Sequence, residues 1–346
     1  MTSDITQPKE CIDHLKRSRT GRLMGVQVIG VGGYVPDLVV RNEDLVSLGH
    51  DPEWIYQRTG ILQRRHAPPG IATSDMAVEA ARRCIELAKV DPQEIDLVLV
   101  GTFTPDLLLP STACLVQDRL GLTAPALDVQ AACSSFAYAL LTGMQFVATG
   151  CSQLALVIGA DCNSRVLNPT DVRTYPLFGD GAGAVLLARG EQQQGLLSYA
   201  IGADGAGAGL LHREMGGTRM PFSRDPGSDG RHFMHMEGRP VYKWAVRMLH
   251  ETVNDVLQQA NLTVSDVDLV IFHQANIRII DSAVENLGLD PKKIVNNLEL
   301  YGNTSSGSIP LALDRAVRDG RVKRGDVLLM SGFGAGLTWA TSLLRW

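Results

Sequence analysis

From Val129 to Ala160 the chain has no Asp, Glu, Lys or Arg, although those four types make up 20% of the sequence. Its first half, 133–148, is apolar almost all round a helical wheel, which predicts a helix buried on every side. Gln130, Thr142, Gln145 and the break Gly150-Cys151-Ser152-Gln153 leave no run of about 20 predominantly apolar residues, so a membrane span is a poor reading. The short apolar run Leu154–Gly159 then predicts a strand covered on both faces. Ala126–Val129 is strand-like, so Cys133 falls at the head of the buried helix directly after a strand. A thiol there meets unpaired backbone N–H groups and the positive end of the helix dipole, which lower its pKa. The ordinary alternative is a buried structural cysteine.

Elsewhere strands and helices alternate. Val26–Val31 reads as a strand, and its Gly30-Val31-Gly32 start suggests a dinucleotide fingerprint. The third glycine would fall on Val35, however, and Pro36 blocks the helix that should follow. Asn42 is expected to cap a short helix, and Pro52 to open another that carries Trp54 and Arg58. Ser74 begins a long Ala-rich helix ended by Asp91-Pro92, followed by a strand over Ile95–Thr102 and a helix over Ser111–Leu120. The long loop Asp161–Gly181 ends in Phe178-Gly179-Asp180-Gly181-Ala182-Gly183, where no Lys-Ser/Thr follows as in a phosphate loop. Its glycines therefore predict close backbone packing. Strands over 184–188 and 196–203 and a helix over Val241–Ala260 follow.

The second half repeats the first. One fixed offset carries Glu94–Gly101 onto Asp266–His273, Leu154–Ile158 onto Asp326–Met330, and Cys133 onto Ser305. A constant register over separated elements predicts two similar α/β halves, 23–195 and 196–346. The stretch 1–22 reads as a polar extension with at most a loose helical turn around Ile12 and Leu15.

Charge and composition narrow the function. Lys plus Arg is 32 against Asp plus Glu 37, net −5, with pI about 5.9, so nothing points to nucleic acid or an acidic membrane surface. The cysteines at 11, 84, 114, 133, 151 and 162 show no C-x-x-C pair and read as free thiols in a reducing compartment. His232 and His235 lack a third ligand nearby, so no metal site is expected. The polar stretch from Met1 to Arg22 contains no apolar signal core, which makes the cytoplasm the expected location.

If the halves pack about a pseudo-twofold axis, Cys133, His273 and Asn303 gather on one side of the molecule. Singly, His273 reads as a hydrogen-bonded strand-end residue and Asn303 as a helix cap. Together the stretches Asp128–Ser135, His273–Arg278, Tyr301–Ser306 and Gly332–Trp339 resemble the four signatures of β-ketoacyl-[acyl carrier protein] synthase III, in the thiolase-like superfamily. The likeness covers roughly Val26 to Trp346.

The resemblance implies a five-layered αβαβα fold built from two duplicated halves, a homodimer, and decarboxylative Claisen condensation of a short acyl-CoA with malonyl-[acyl carrier protein], initiating fatty acid or related polyketide synthesis. No cofactor beyond the coenzyme A thioester is implied. Cys133 would be the nucleophile, His273 and Asn303 the other catalytic pair, and the backbone N–H groups of Cys133 and Ala335 the oxyanion hole. Trp54, Arg58 and Arg173 would hold coenzyme A; Leu109 and Phe178 would line the acyl pocket; Arg239, Lys243 and Arg278 would meet the carrier protein or pantetheine.

The chain departs from the family pattern at Arg239-Pro240, where an Asn is usual, and in the loop arginine, one place late at Arg173. Glu285-Asn286 replaces a basic pair. Leu109 in place of an aromatic residue predicts a pocket open to primers longer or more branched than acetyl. Two rivals remain: an acyltransferase of secondary metabolism that uses another acceptor without decarboxylation, and a non-catalytic acyl-binding protein.

Overall fold

Two five-stranded sheets enclose the helix formed by the charge-free stretch. The structure is a computed structural model that describes residues 18–222 and 230–346. The first sheet has the order β2 (Val26–Tyr34), β8 (Gly181–Arg189), β7 (Leu154–Asp161), β5 (Leu97–Gly101), β6 (Ala126–Val129). The second runs β1 (Arg19–Met24), β9 (Gly195–Ala203), β14 (Thr338–Arg345), β13 (Val327–Gly334), β12 (Leu269–Phe272). In each, the strands joined through helices are parallel and the remaining pairs antiparallel. Two small ribbons, β3 (Val39–Arg41) with β4 (Gln63–Arg65) and β10 (Leu211–Arg213) with β11 (Met234–Met236), lie outside them.

The layering follows from the period-2 alternation of strand side chains. Leu99 and Val157 of the first sheet and Ile271 and Leu328 of the second face inward onto α4 (Ser135–Thr149) and α8 (Ser308–Arg318). Their neighbours Val98, Val100, Leu156 and Ile158 face outward onto α2 (Thr73–Ala88) and α3 (Thr112–Arg119). Val270, Phe272 and Leu329 do the same beneath α5 (Gly238–Ala260) and α6 (Ile277–Leu287). The five layers are α, β, α, β, α, as the resemblance implies. The short helices α1 (Pro52–Thr59) and α7 (Leu298–Tyr301) complete the chain.

The internal repeat needs one correction. Leu97 pairs with Ala155 and Leu269 with Leu328, so the offset that carries β5 onto β12 is one position shorter than the offset that carries β7 onto β13. The tight 3₁₀ turns before the central helices, Ala132–Ser134 and Ser305–Gly307, keep the longer offset, and so do their left-handed residues Ala132 (φ 49°) and Ser305 (φ 52°). Cys133 thus stands opposite Ser306, and Leu154 opposite Val327. A one-residue slip exchanges the faces of a strand, but strands buried on both faces read as unbroken apolar runs and conceal it.

Four local expectations also change. The end of the expected extension, from Arg19 to Arg22, belongs to an edge strand, Arg19–Met24, paired with β9, while Ile12 and Leu15 lie outside the described residues. Asn42 caps nothing: its amide donates to Pro52 O and Ile61 O, and its carbonyl accepts from Arg64 Nη2 at 2.8 Å. The Ala-rich helix begins at Thr73, and the Ser74 hydroxyl instead donates to Asp106 at 2.7 Å. Helix α4 is not buried all round, since Gln145 and Phe146 are exposed.

Candidate active site

Each central helix begins in a turn seated on the other half's sheet. A Cβ built on Gly334, at the end of β13, would lie 2.6 Å from Cys133 N, and one on Gly159 of β7 would lie 2.4 Å from Ser306 O. Only glycine lets these backbones approach so closely. The Cys133 turn is tied further by Thr338, whose Oγ1 lies 2.8 Å from Ala131 O and 3.0 Å from Ala335 O. The turn that carries Cys133 and the loop that carries Ala335 therefore lie against the same hydroxyl.

His273 follows β12, donating its backbone N–H to Ser331 O at 2.8 Å. Its Nδ1 lies 2.7 Å from Ser308 Oγ, and Phe333 meets the ring edge-on at 4.9 Å and 81°. Burial pushes the imidazole down to about 3, so the ring is neutral. Asn303 is fixed through its backbone: N–H to Leu177 O at 2.8 Å, and O accepting from Gly179 N at 3.0 Å. Its Oδ1 accepts from Ser305 N at 2.8 Å, which leaves the amide NH₂ as the donor end.

The expectation of an acidified thiol is overturned. Cys133 is 7% exposed, and burial pushes its thiol up to about 12, against a lowering contribution from the Ser305 hydroxyl. A helix N-terminus is worth at most about 2 kcal/mol, or about 1.5 pH units. That is half of the rise from the ordinary thiol value of 9.0 to about 12. Behind the sulfur the wholly buried Asp161 carboxylate raises it further. Asp161 is itself raised by burial, though it accepts from Thr102, Phe103, Thr104 and Ser306. The resting pair is a protonated thiol and a neutral imidazole.

Cys133, His273 and Asn303 line one cavity of about 450 Å³, a size suited to a small ligand. Its wall is mostly apolar: Leu177, Phe178, Leu211, Trp244, Phe333 and Leu337. Arg173 and Arg239 also line it, as Phe178 does among the expected acyl-pocket residues. A larger cleft of about 860 Å³ between α2 and α8 contains none of the three, so size does not locate the chemistry.

The remaining expected residues stand outside that cavity. Trp54 and Arg58 lie on α1, where Trp54 stacks on His50 at 4.1 Å with the Arg58 guanidinium 5.7 Å from the ring. The end of α1 meets α6, Gly60 lying against Ile277. Arg278 sits 5.8 Å over Tyr242, a lining residue, and Lys243 is exposed on the next position of α5. Leu109 is 86% exposed on its loop and contributes nothing to the cavity of its own chain. Sequence reasoning missed Ser308, Phe333, Trp244, Asp161 and the role of Ser305 beside Cys133. Phe333 and Ser305 fell inside the family signatures, whereas Trp244 carried no signal beyond helical periodicity. Among the described residues no cluster of His, Cys, Asp and Glu could hold a metal ion.

Comparison with known proteins agrees with this geometry. The family described as 3-oxoacyl-[acyl-carrier-protein (ACP)] synthase III matches residues 127–205, and its C-terminal counterpart residues 257–346. A β-ketoacyl-[acyl-carrier-protein] synthase III from Rhodopirellula baltica is 52% identical over 344 residues, covering 94% of this chain and 100% of its own. One from Desulfitobacterium hafniense is 47% identical over 326 residues, covering 94% and 98%. The crystal structure of 3-oxoacyl-[acyl-carrier-protein] synthase III from Aquifex aeolicus VF5 superposes with a TM-score of 0.86 at 41% identity, covering 93% of this chain and 100% of its own. With half of all positions shared along nearly the whole length, the chain belongs to the β-ketoacyl-[acyl-carrier-protein] synthase III family of acyltransferases.

Proposed function

We propose that the protein initiates fatty acid synthesis by condensing a short acyl-CoA with malonyl-[acyl carrier protein], Cys133 carrying the acyl group between the two half-reactions. The observation that carries this reading is the convergence of Cys133, His273 and Asn303 on one mostly apolar cavity. In the first half-reaction the Cys133 sulfur attacks the thioester carbonyl, and the thiol proton leaves on coenzyme A. Splitting one transfer into two steps lowers each barrier. The oxyanion is received by the N–H groups of Cys133 and Ala335, a type of contact worth about 10²–10³ in rate per donor.

In the second half-reaction the malonyl group loses CO₂, and its electron pair moves toward the thioester oxygen. His273 and Asn303 donate to that oxygen as charge develops. The resulting carbanion attacks the acyl-cysteine carbonyl, and Cys133 departs as thiolate and takes one proton from solvent, which restores the resting thiol. A neutral imidazole suits this task, because it donates without having to release a net positive charge into an apolar site.

Trp54, Arg58 and Arg173 are assigned to coenzyme A; Arg239, Lys243 and Arg278 to the carrier protein or its phosphopantetheine. The Trp54 assignment requires His50 or Arg58 to yield one face of the indole. Leu107, Leu108 and Leu109, exposed at 50%, 86% and 86%, fit burial in a second copy of the chain, giving a homodimer in which Leu109 approaches the partner's acyl pocket. Among the described residues no helix is long and apolar enough to cross a membrane, and reduced thiols suit the cytoplasm.

The test is turnover with a C2 to C8 series of acyl-CoA primers, offering malonyl-CoA and malonyl-[acyl carrier protein] side by side with the malonyl carboxyl labelled. The expected outcome is labelled CO₂, a Cys133 acyl adduct by mass spectrometry, and use of primers beyond acetyl. Acyl transfer without labelled CO₂ would refute the condensation; strict acetyl preference would refute the pocket reading.

A further inference from the structure

We infer that Ser308 locks the His273 imidazole in the tautomer with its proton on Nε2, making the ring a hydrogen-bond donor to the substrate oxygen and not a base for Cys133. Ser308 is therefore a positioning residue for the decarboxylation step, and the inference rests on the condensation proposed above.

The available hydrogens decide the tautomer. Ser308 is wholly buried at the head of α8. Its Oγ lies 2.7 Å from His273 Nδ1 and 3.4 Å from Gln274 N. A backbone N–H can only donate, so Gln274 occupies a lone pair of the hydroxyl. The hydroxyl's own hydrogen then has one acceptor among the described residues, the lone pair of Nδ1. Were Nδ1 protonated, it would donate to the hydroxyl's second lone pair, and the hydroxyl hydrogen would be left buried without an acceptor. A buried donor without an acceptor biases the balance by roughly tenfold or more.

The surroundings hold the ring in that relation. Phe333 packs edge-on against it. Gln274, next in the chain, is clamped by Nε2 to Phe272 O at 2.7 Å and by Oε1 to Asn297 N at 3.0 Å. With Nδ1 engaged at α8, Nε2 is the ring nitrogen left to serve the cavity that His273 lines. A ring already protonated there cannot take the thiol proton of Cys133. In the first half-reaction that proton passes to the departing coenzyme A sulfur, balancing thiol plus acyl-CoA against acyl-cysteine plus free coenzyme A.

The experiment uses the full chain labelled with ¹⁵N-histidine, the His273 ring signals being assigned by their loss in His273→Asn. The wild-type ring should be neutral with hydrogen on Nε2 and an unprotonated Nδ1. In Ser308→Ala the signals should shift toward the Nδ1-protonated form. CO₂ release from malonyl-[acyl carrier protein] should fall roughly tenfold or more through kcat. Acylation of Cys133 should stay within about twofold, and Ser308→Thr should restore the lost rate. A wild-type ring protonated on Nδ1 overturns the inference even if no variant folds. An equal loss in both half-reactions, or no loss in either, also overturns it. If the wild-type enzyme releases no CO₂ at all, the condensation reading fails instead, while the ring spectrum still decides the tautomer.

Discussion

The protonated resting thiol has a measurable signature. With the Cys133 thiol at about 12, only about 10⁻⁵ of the molecules carry a thiolate at pH 7. The thiolate fraction, and with it the rate of alkylation, should rise tenfold per pH unit without levelling between pH 7 and pH 9. Entry of the reagent into the cavity multiplies every rate by the same factor and leaves the slope intact. The assay is timed iodoacetamide labelling of the free enzyme, with the Cys133 peptide quantified by mass spectrometry and the exposed Cys151 as an internal comparison. Labelling that levels off at or below pH 7 would refute the reasoning, because it would mean that the helix end overcomes burial.

Three further outcomes are expected. Gly334→Ala should cost about 1–3 kcal/mol by overpacking the Cys133 turn and should slow acyl loading; denaturant unfolding and adduct formation check it, and an unchanged loading rate would deny the close seating. His273, held at about 3 instead of the usual 6.5, takes up its proton in the unfolded chain first, so stability is lost as pH falls from about 6.5 toward about 3, by up to about 1.4 kcal/mol per unit. His273→Gln should show a shallower acid slope in urea midpoints, and an unchanged slope would place the acid sensitivity elsewhere. If the proposed dimer forms through the leucine loop, Leu108→Glu should give a monomer by sedimentation, and a dimer that persists would remove that loop from the interface.

Much of the fold was legible because its strands are buried on both faces and its helices carry strong caps or breaks, as at Pro52 and Gly150. The same double burial hid the slip of one position between the two offsets of the repeat, since no polar face marked which residues point inward. The edge strand Arg19–Met24 was illegible for the opposite reason: its residues are polar enough to pass for an unstructured tail, and only pairing with β9 orders them. The gathering of Cys133, His273 and Asn303 on one cavity could be foreseen because they stand at the ends of elements that the repeat relates. The protonation of Cys133 could not, because it depends on how much of the second half covers the sulfur, and linear sequence records only the helix end. Ser308 was likewise invisible as a partner of His273: the two lie far apart in the chain and meet only through the packing of α8 beneath β12.

Because the Cys133 turn rests on Gly334 and is pinned by Thr338, the proposed nucleophile is assembled from widely separated portions of the chain. During synthesis on the ribosome, the cysteine emerges long before the strand that receives it. Until the hairpin of β13 and β14 docks, the sulfur lacks both its seat and its cover. Competence for acyl transfer thus arrives only with the closing of that hairpin, and removal of β14 alone should leave the turn on its Gly334 seat but without the Thr338 contact.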